Sequence, residues 1–221
     1  MTSKTQKEAF LHYEADNYFN RNRGVSYVPE KDVVINLLKE YNYTPQRVLE
    51  IGCNTGYRLE AIRSQFGSFV AGIEPSQEAI DKGKQQYPEV QFVRGTADDL
   101  STFSNGTFDL IVIGFVLYVV DREMLLKSIA ETDRVLKDGG SLMIIDFFTE
   151  RPVRNAYQHI QEMEAYAYKQ NYDEIFTATQ MYQLLDKRSL SHINKSYDAT
   201  GDYYNKYSIT TLRKDLQAAY K

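Results

Sequence analysis

The sequence contains no tryptophan, one cysteine and three histidines among its 221 residues. With Cys53 alone, an intrachain disulfide and a multi-cysteine zinc site are both excluded, so no metal is expected. Long apolar runs are missing too. The longest, 110–120, is broken by Gly114 and Tyr118 and falls short of the roughly 20 residues a membrane helix needs. The amino-terminal stretch through Phe19 has no apolar centre of the kind a signal peptide requires, which points to the cytoplasm and to no membrane partner. A surplus of positive charge is also absent. The formal net charge is −4, whereas nucleic-acid binders carry a basic face, so no nucleic-acid partner is expected. Repeats, low-complexity tracts and Pro/Gly/Ser linkers are lacking, and the chain reads as one domain that is a monomer or homodimer.

What the chain has in excess is tyrosine, 18 in all, mostly before residue 45 or after residue 156. Two readings stand: half-buried rings of surface and hairpin, or the wall of a substrate pocket, for which a broad face with a polar tip is suited.

The middle of the chain alternates short β-rich runs with helical spacing, the pattern of a parallel sheet with crossover helices. Strands are expected over 47–51, 69–73, 90–93, 108–113 and 141–148. Helices are expected over 54–66, 77–87 and 122–136, the last closed by Asp138-Gly139-Gly140 with glycine as a left-handed cap. Val34, Leu37, Leu38 and Tyr41 share a helical face over 30–41, and 155–172 has helical spacing as well. Two weaker strands, 182–192 and 203–212, are joined closely enough to pair antiparallel. The resulting fold class is α/β: seven strands, mostly parallel, with an antiparallel C-terminal hairpin at one edge. Within it, 1–45 forms an N-terminal helical cap, 46–150 a cofactor-binding core, and 151–221 a substrate cap with the hairpin.

Val48-Leu49-Glu50-Ile51-Gly52-Cys53-Asn54-Thr55-Gly56 carries the main signal: an apolar strand ending in an acid, then a glycine-bearing turn that opens a helix. This is the layout of an adenosyl site at the carboxyl end of a strand. A dinucleotide would call for G-x-G-x-x-G, yet Asn54 stands two places after Gly52. Asparagine tolerates the left-handed conformation, so the turn survives the replacement. A carboxylate at Glu50 suits a cationic group better than a pyrophosphate. Glu74, before Pro75, follows Gly56 by 18 residues, near the roughly 20-residue spacing of an acid that grips ribose hydroxyls. After the third strand, Thr96-Ala97-Asp98 places a further acid where an adenine amine could donate.

Together these segments resemble the class I S-adenosylmethionine-dependent methyltransferases, from about residue 47 to 148. Phe108-Asp109-Leu110-Ile111 and Val135-Leu136-Lys137-Asp138-Gly139-Gly140 belong to the same resemblance. It implies a Rossmann-like sheet with helices on both faces, S-adenosyl-L-methionine as cofactor and S-adenosyl-L-homocysteine as product. It also implies roles: Glu50 near the cofactor's amino group, Gly52, Cys53, Asn54 and Gly56 in its turn, Glu74 with Pro75 at the ribose, Thr96, Ala97 and Asp98 at adenine, and Gly114 and Phe115 beside the sulfonium. Asn54 departs from the glycine usual there. Tyr18-Phe19-Asn20-Arg21-Asn22 and Phe115-Val116-Leu117-Tyr118 are similar to methyltransferases of sugar and surface-polysaccharide biosynthesis, in which an amino-terminal segment folds over the cofactor. That similarity puts Tyr18 and Arg21 within reach of the cofactor's carboxylate.

The acceptor is less legible. A base is required only where a neutral hydroxyl must lose its proton. Tyr118 after the fourth strand, Asp146 in the fifth, and His159 on the expected helix behind it are the candidates. The Asn-Pro-Pro-aromatic signature of amino-group methylation is absent; Gly-Phe-Val-Leu-Tyr stands in its place. The reading is a small-molecule methyltransferase acting on a sugar or nucleotide-sugar hydroxyl. The alternatives are an aromatic, quinone-like or natural-product acceptor, or a cofactor-binding partner subunit without catalysis.

Overall fold

A computed structural model describes residues 5–24, 26–161 and 163–217. The sheet is built from β1 (Arg47–Ile51), β2 (Phe69–Glu74), β3 (Gln91–Arg94), β4 (Phe108–Gly114), β5 (Leu136–Phe147), β8 (Tyr182–Ser191) and β9 (Lys206–Lys214). Their order is β3-β2-β1-β4-β5-β9-β8; the first five are parallel, and β9 joins β5 antiparallel, followed by β8. The chain leaves β1 in one direction for β2 and β3 and returns on its other side to β4. That reversal opens a crevice at the carboxyl ends of β1 and β4.

Both sheet faces are covered, which is why the central strands carry continuous apolar runs such as Leu110–Ile113 rather than an alternation. Leu49, Ile51, Ile111, Ile113 and Ile144 pack on one side with α6 (Arg122–Val135) and α7 (Asp173–Thr177). Val48, Val70, Leu110, Val112 and Met143 pack on the other with α3 (Val33–Glu40) and α4 (Tyr57–Phe66). The last crossover helix, α5 (Gln77–Gln86), links β2 to β3.

Ahead of the sheet lies a helical segment made of α1 (Gln6–Ala9), a π-helical turn (Phe10–Glu14) and α2 (Ala15–Asn22). Thr5 and Glu8 cap it reciprocally, Glu8 N donating to Thr5 Oγ1 at 3.2 Å and Thr5 N to Glu8 Oε2 at 2.8 Å.

Two expected elements differ. The segment 155–172 is not a helix: β6 (Val153–Ala156) and β7 (Tyr166–Lys169) form a separate antiparallel pair. His159 therefore lies in the exposed connection between two strands. Gly139 is left-handed as expected, with φ +73°, but α6 has already ended at Val135. The glycine instead serves a bulge in β5, where Leu136 pairs with Phe108 and Ser141 with Leu110.

Candidate cofactor and acceptor site

The turn after β1 is shaped by three successive left-handed residues, Gly52 at φ +77°, Asn54 at +52° and Gly56 at +76°. Gly52 is indispensable on two counts: its φ strains any other residue, and a Cβ there would strike Val116. A Cβ on Gly56 would come within 2.6 Å of the Phe92 ring. Asn54 holds the same backbone region without being glycine, and its side-chain oxygen accepts from Thr55 N at 2.7 Å. Its own amide donates to Glu74 Oε2 at 2.8 Å, tying the β1 turn to the end of β2.

Above this turn lies a cavity of about 450 Å³, within the range of small-molecule sites. Glu50, Gly52, Asn54, Glu74 and Pro75 line it from β1 and β2. Thr96, Ala97 and Asp98 line it from the loop after β3, and Gly114, Phe115 and Tyr118 from the end of β4. The amino-terminal segment forms the roof with Lys7, Phe10, Ala15, Tyr18 and Phe19. It is fastened there by long-range bonds. Gln6 Nε2 donates to Val119 O at 2.6 Å, Lys7 N to Asp121 Oδ2 at 2.9 Å, and Ser76 Oγ to Asp16 Oδ1 at 2.6 Å.

Five of the residues singled out in the sequence stand off the cavity wall, among them Gly56, which shapes the turn behind it. Arg21 turns to the fully buried Glu14, with Nη2 2.6 Å from Oε1, an oxygen that also accepts from the Tyr157 hydroxyl at 2.8 Å. Cys53 packs inward with its thiol pushed up by burial. Asp146 is buried beneath the wall, where its Oδ1 accepts from Phe147 N at 2.8 Å and burial raises its carboxyl to about 7. His159 sits outside against the Tyr157 ring.

S-adenosylmethionine needs an acid for its ammonium, one for its ribose hydroxyls and an acceptor for its adenine amine. Glu50 Oε1 takes Arg58, while Oε2 is buried on the wall without a partner, an orphaned acceptor suited to an ammonium donor. Each oxygen of Glu74 accepts one backbone amide, from Asn54 at 2.8 Å and Ser76 at 2.9 Å, which leaves one lone pair apiece for hydroxyls. Burial raises both carboxyls to about 7; Arg58 opposes this at Glu50, and the two amides oppose it at Glu74. Asp98 also faces the cavity, with Oδ1 bonded to Thr96 at 2.7 Å and Oδ2 to Lys7 Nζ at 2.6 Å. The residues fit the cofactor, with Lys7 as an extra partner at the adenine end.

Several lining residues escaped the sequence. Arg58, in the first turn of α4, is clamped between Glu50 and Asp32, its Nε 2.8 Å from Asp32 Oδ2. Asp32 also caps α3, accepting from Val34 N at 2.9 Å. The cap was legible as an acid ahead of an apolar run; its pairing with an arginine 26 residues on was not. Aromatic rings make up much of the wall: Phe10, Tyr18, Phe19, Tyr57, Phe115, Tyr118, Tyr157 and Tyr207. Phe115 holds φ +53°, a costly conformation for a bulky residue that aims its ring across the strand ends.

Comparison with known proteins agrees with this geometry. The family described as "Methyltransferase domain" matches residues 48–140. An uncharacterized methyltransferase of Synechocystis sp. is 33% identical over 101 residues, covering 46% of this chain and 47% of that protein. A demethylmenaquinone methyltransferase of Renibacterium salmoninarum is 33% identical over 114 residues, covering 51% and 46%. The chain thus spans about half the length of the curated relatives it matches. Among solved structures, the 1,6-didemethyltoxoflavin-N1-methyltransferase of Burkholderia thailandensis, with bound 1,6-didemethyltoxoflavin and S-adenosylhomocysteine, superposes with a TM-score of 0.73. It covers 97% of this chain and 92% of its own at 14% identity, a likeness of fold. The domain match falls on the strand, turn and acids that line the cavity, so residues 48–140 are similar to the methyltransferase domain, and the chain shares its fold with an S-adenosylhomocysteine-bound methyltransferase.

Proposed function

We propose that the chain transfers a methyl group from S-adenosylmethionine to a flat aromatic or quinone-like small molecule. The observation that carries this is one cavity whose wall combines the acids around the β1–β2 turn with eight aromatic rings. Bound at the acids, the cofactor supplies an electrophilic methyl on a good leaving group. Glu50 Oε2 holds its ammonium, Glu74 its ribose hydroxyls and Asp98 its adenine edge; Arg58 and Lys31 are the wall cations available to its carboxylate.

The rings do the remaining work by stacking on the acceptor and excluding water, and alignment of this kind is worth up to about 7–11 kcal/mol. Tyr118 is part of that wall. Burial pushes its phenol well above the ordinary tyrosine value, so it keeps its proton and acts as a donor and spacer rather than a base. Asp146 positions the wall from beneath. His159, outside the cavity, takes no part. A sugar acceptor finds little here, because its many hydroxyls would face aromatic carbon instead of polar partners. The acceptors in the names of the Renibacterium relative and the Burkholderia fold neighbour are demethylmenaquinone and 1,6-didemethyltoxoflavin, neither of them a sugar.

Titration calorimetry with S-adenosylmethionine and S-adenosylhomocysteine, on wild type and Glu74→Ala, tests the cofactor half. Micromolar binding that collapses in the variant is the expected result. Turnover of hydroxynaphthalenes but not of nucleotide sugars tests the acceptor half, and the reverse preference would overturn the aromatic reading.

A further inference from the structure

Basic residues gather at the ring-lined wall of the cavity. His192 stacks among Phe115, Phe147 and Tyr207, with centroid distances of 5.5, 5.1 and 5.0 Å. Lys195 Nζ stands 5.5 Å from the centroid of Tyr207, and Lys169 Nζ stands 4.0 Å above Phe147. Lys195, Phe115 and Tyr207 line the cavity, and Lys169, His192 and Phe147 stand behind them, off its wall. Lys7, Lys127, Lys137, Lys187 and Lys214 each reach a carboxylate within 3.7 Å, whereas Lys169 and Lys195 stand over aromatic faces with no carboxylate among the described residues in salt-bridge reach, Asp146 acting on Lys169 only from a distance. Nε2 of His192 is buried without a hydrogen-bond partner. Burial and the two lysines hold that imidazole down to about 4, so it stays neutral and adds no charge of its own. Two cations with no carboxylate in salt-bridge reach, set on rings around a neutral imidazole, leave a place for one negative charge attached to a flat ring.

Resting on the proposed transfer to a ring acceptor, we propose that the acceptor binds as an oxyanion of the phenolate or enolate type. Its charged oxygen faces Lys195 and Lys169 across the Phe115–His192–Tyr207 cluster. The ring hydroxyl gives its proton to water as it binds, and the lysines stabilise the oxygen left behind. The nucleophilic electron pair is then already free, so the transfer needs no base once the acceptor is bound. The charge pattern suits both partners, with acids beside the cationic cofactor and lysines beside the anionic acceptor. The titratable groups around this place are His192, Lys169, Lys195, Tyr118, Tyr204, Tyr207, Asp32 on the wall and, beneath it, Asp146.

The test uses 4-nitrophenol, whose ionised form absorbs in the visible, and its neutral counterpart 4-nitroanisole, with the protein loaded with S-adenosylhomocysteine. The nitrophenol should bind about tenfold tighter than the anisole, and its bound pKa should fall by about one unit. Lys195→Gln and Lys169→Gln should each reduce that shift, Lys195→Arg should keep it, and S-adenosylhomocysteine affinity should be unchanged in all three. An unshifted pKa, or a shift intact in the double Gln variant, overturns the oxyanion proposal. Equal affinity for both probes overturns it while sparing the ring-acceptor reading. Loss of both probes with the product still bound overturns the two together.

Discussion

Arg58 is the residue on which the cofactor site turns. Its side chain, 15% exposed, lies between the buried Asp32 and Glu50, so the three form a charged cluster with one cation for two acids. Removing one partner from a buried ion pair costs about 3–5 kcal/mol, because the charge left behind keeps its desolvation penalty. Arg58→Leu is expected to lower stability by about that amount at neutral pH, measured by urea unfolding. The loss should shrink in acid, where Glu50 takes a proton and needs no cation. Glu50→Gln is gentler: it preserves shape, leaves Arg58 paired with Asp32, and should cost mainly cofactor affinity, about tenfold or more by calorimetry. If Glu50→Gln bound the cofactor as tightly as wild type, the ammonium would not lie at Oε2.

At the scale of elements, what could be read in the sequence is what local chemistry determines. The glycine turn, the acids that end β1 and β2, and the apolar strands declare themselves because each is set by its own few residues. The β6–β7 pair does not. Ala156, Ile160, Met163 and Ala167 fall at helical intervals, while the alternation of Tyr166, Ala167 and Tyr168 is too short to outweigh them. Those strands are chosen by a distant side chain: Gln6 takes the backbone of Tyr166 as a neighbouring strand would. Its Oε1 accepts from Tyr166 N at 2.8 Å, and its Nε2 donates to Tyr166 O at 2.9 Å. The same glutamine fastens the roof to Val119. Gln6→Ala would leave these backbone groups without partners, at about 1–3 kcal/mol for buried ones. Hydrogen exchange should then quicken at Tyr166 and along α1–α2, with β1 and β4 protected as before. Unchanged exchange at Tyr166 would mean that the hairpin holds itself and the roof is fastened elsewhere.

Across the whole molecule, buried acids set the pH response. Glu50, Glu74 and Asp146 are each raised by burial to about 7 in the folded chain, whereas unfolded carboxyls titrate near ~4. The folded state therefore binds more protons than the unfolded one between those values. Stability contributed by the protonated acids is full below ~4 and is lost as pH rises through about 7. Ligand-free protein should accordingly melt at a lower temperature at about pH 8 than at about pH 5.5. Ligand reverses part of this. An ammonium at Glu50 and hydroxyls at Glu74 favour the ionised carboxylates, so binding releases protons below about 7 and strengthens as pH rises toward it. The rise in melting temperature on adding S-adenosylhomocysteine should thus be larger at about pH 8 than at about pH 5.5, by scanning calorimetry at fixed ligand concentration. Asp146, off the cavity wall, should keep its contribution with or without ligand. A pH-independent stabilisation by S-adenosylhomocysteine would place the ligand away from both Glu50 and Glu74, and with them away from the β1–β2 turn.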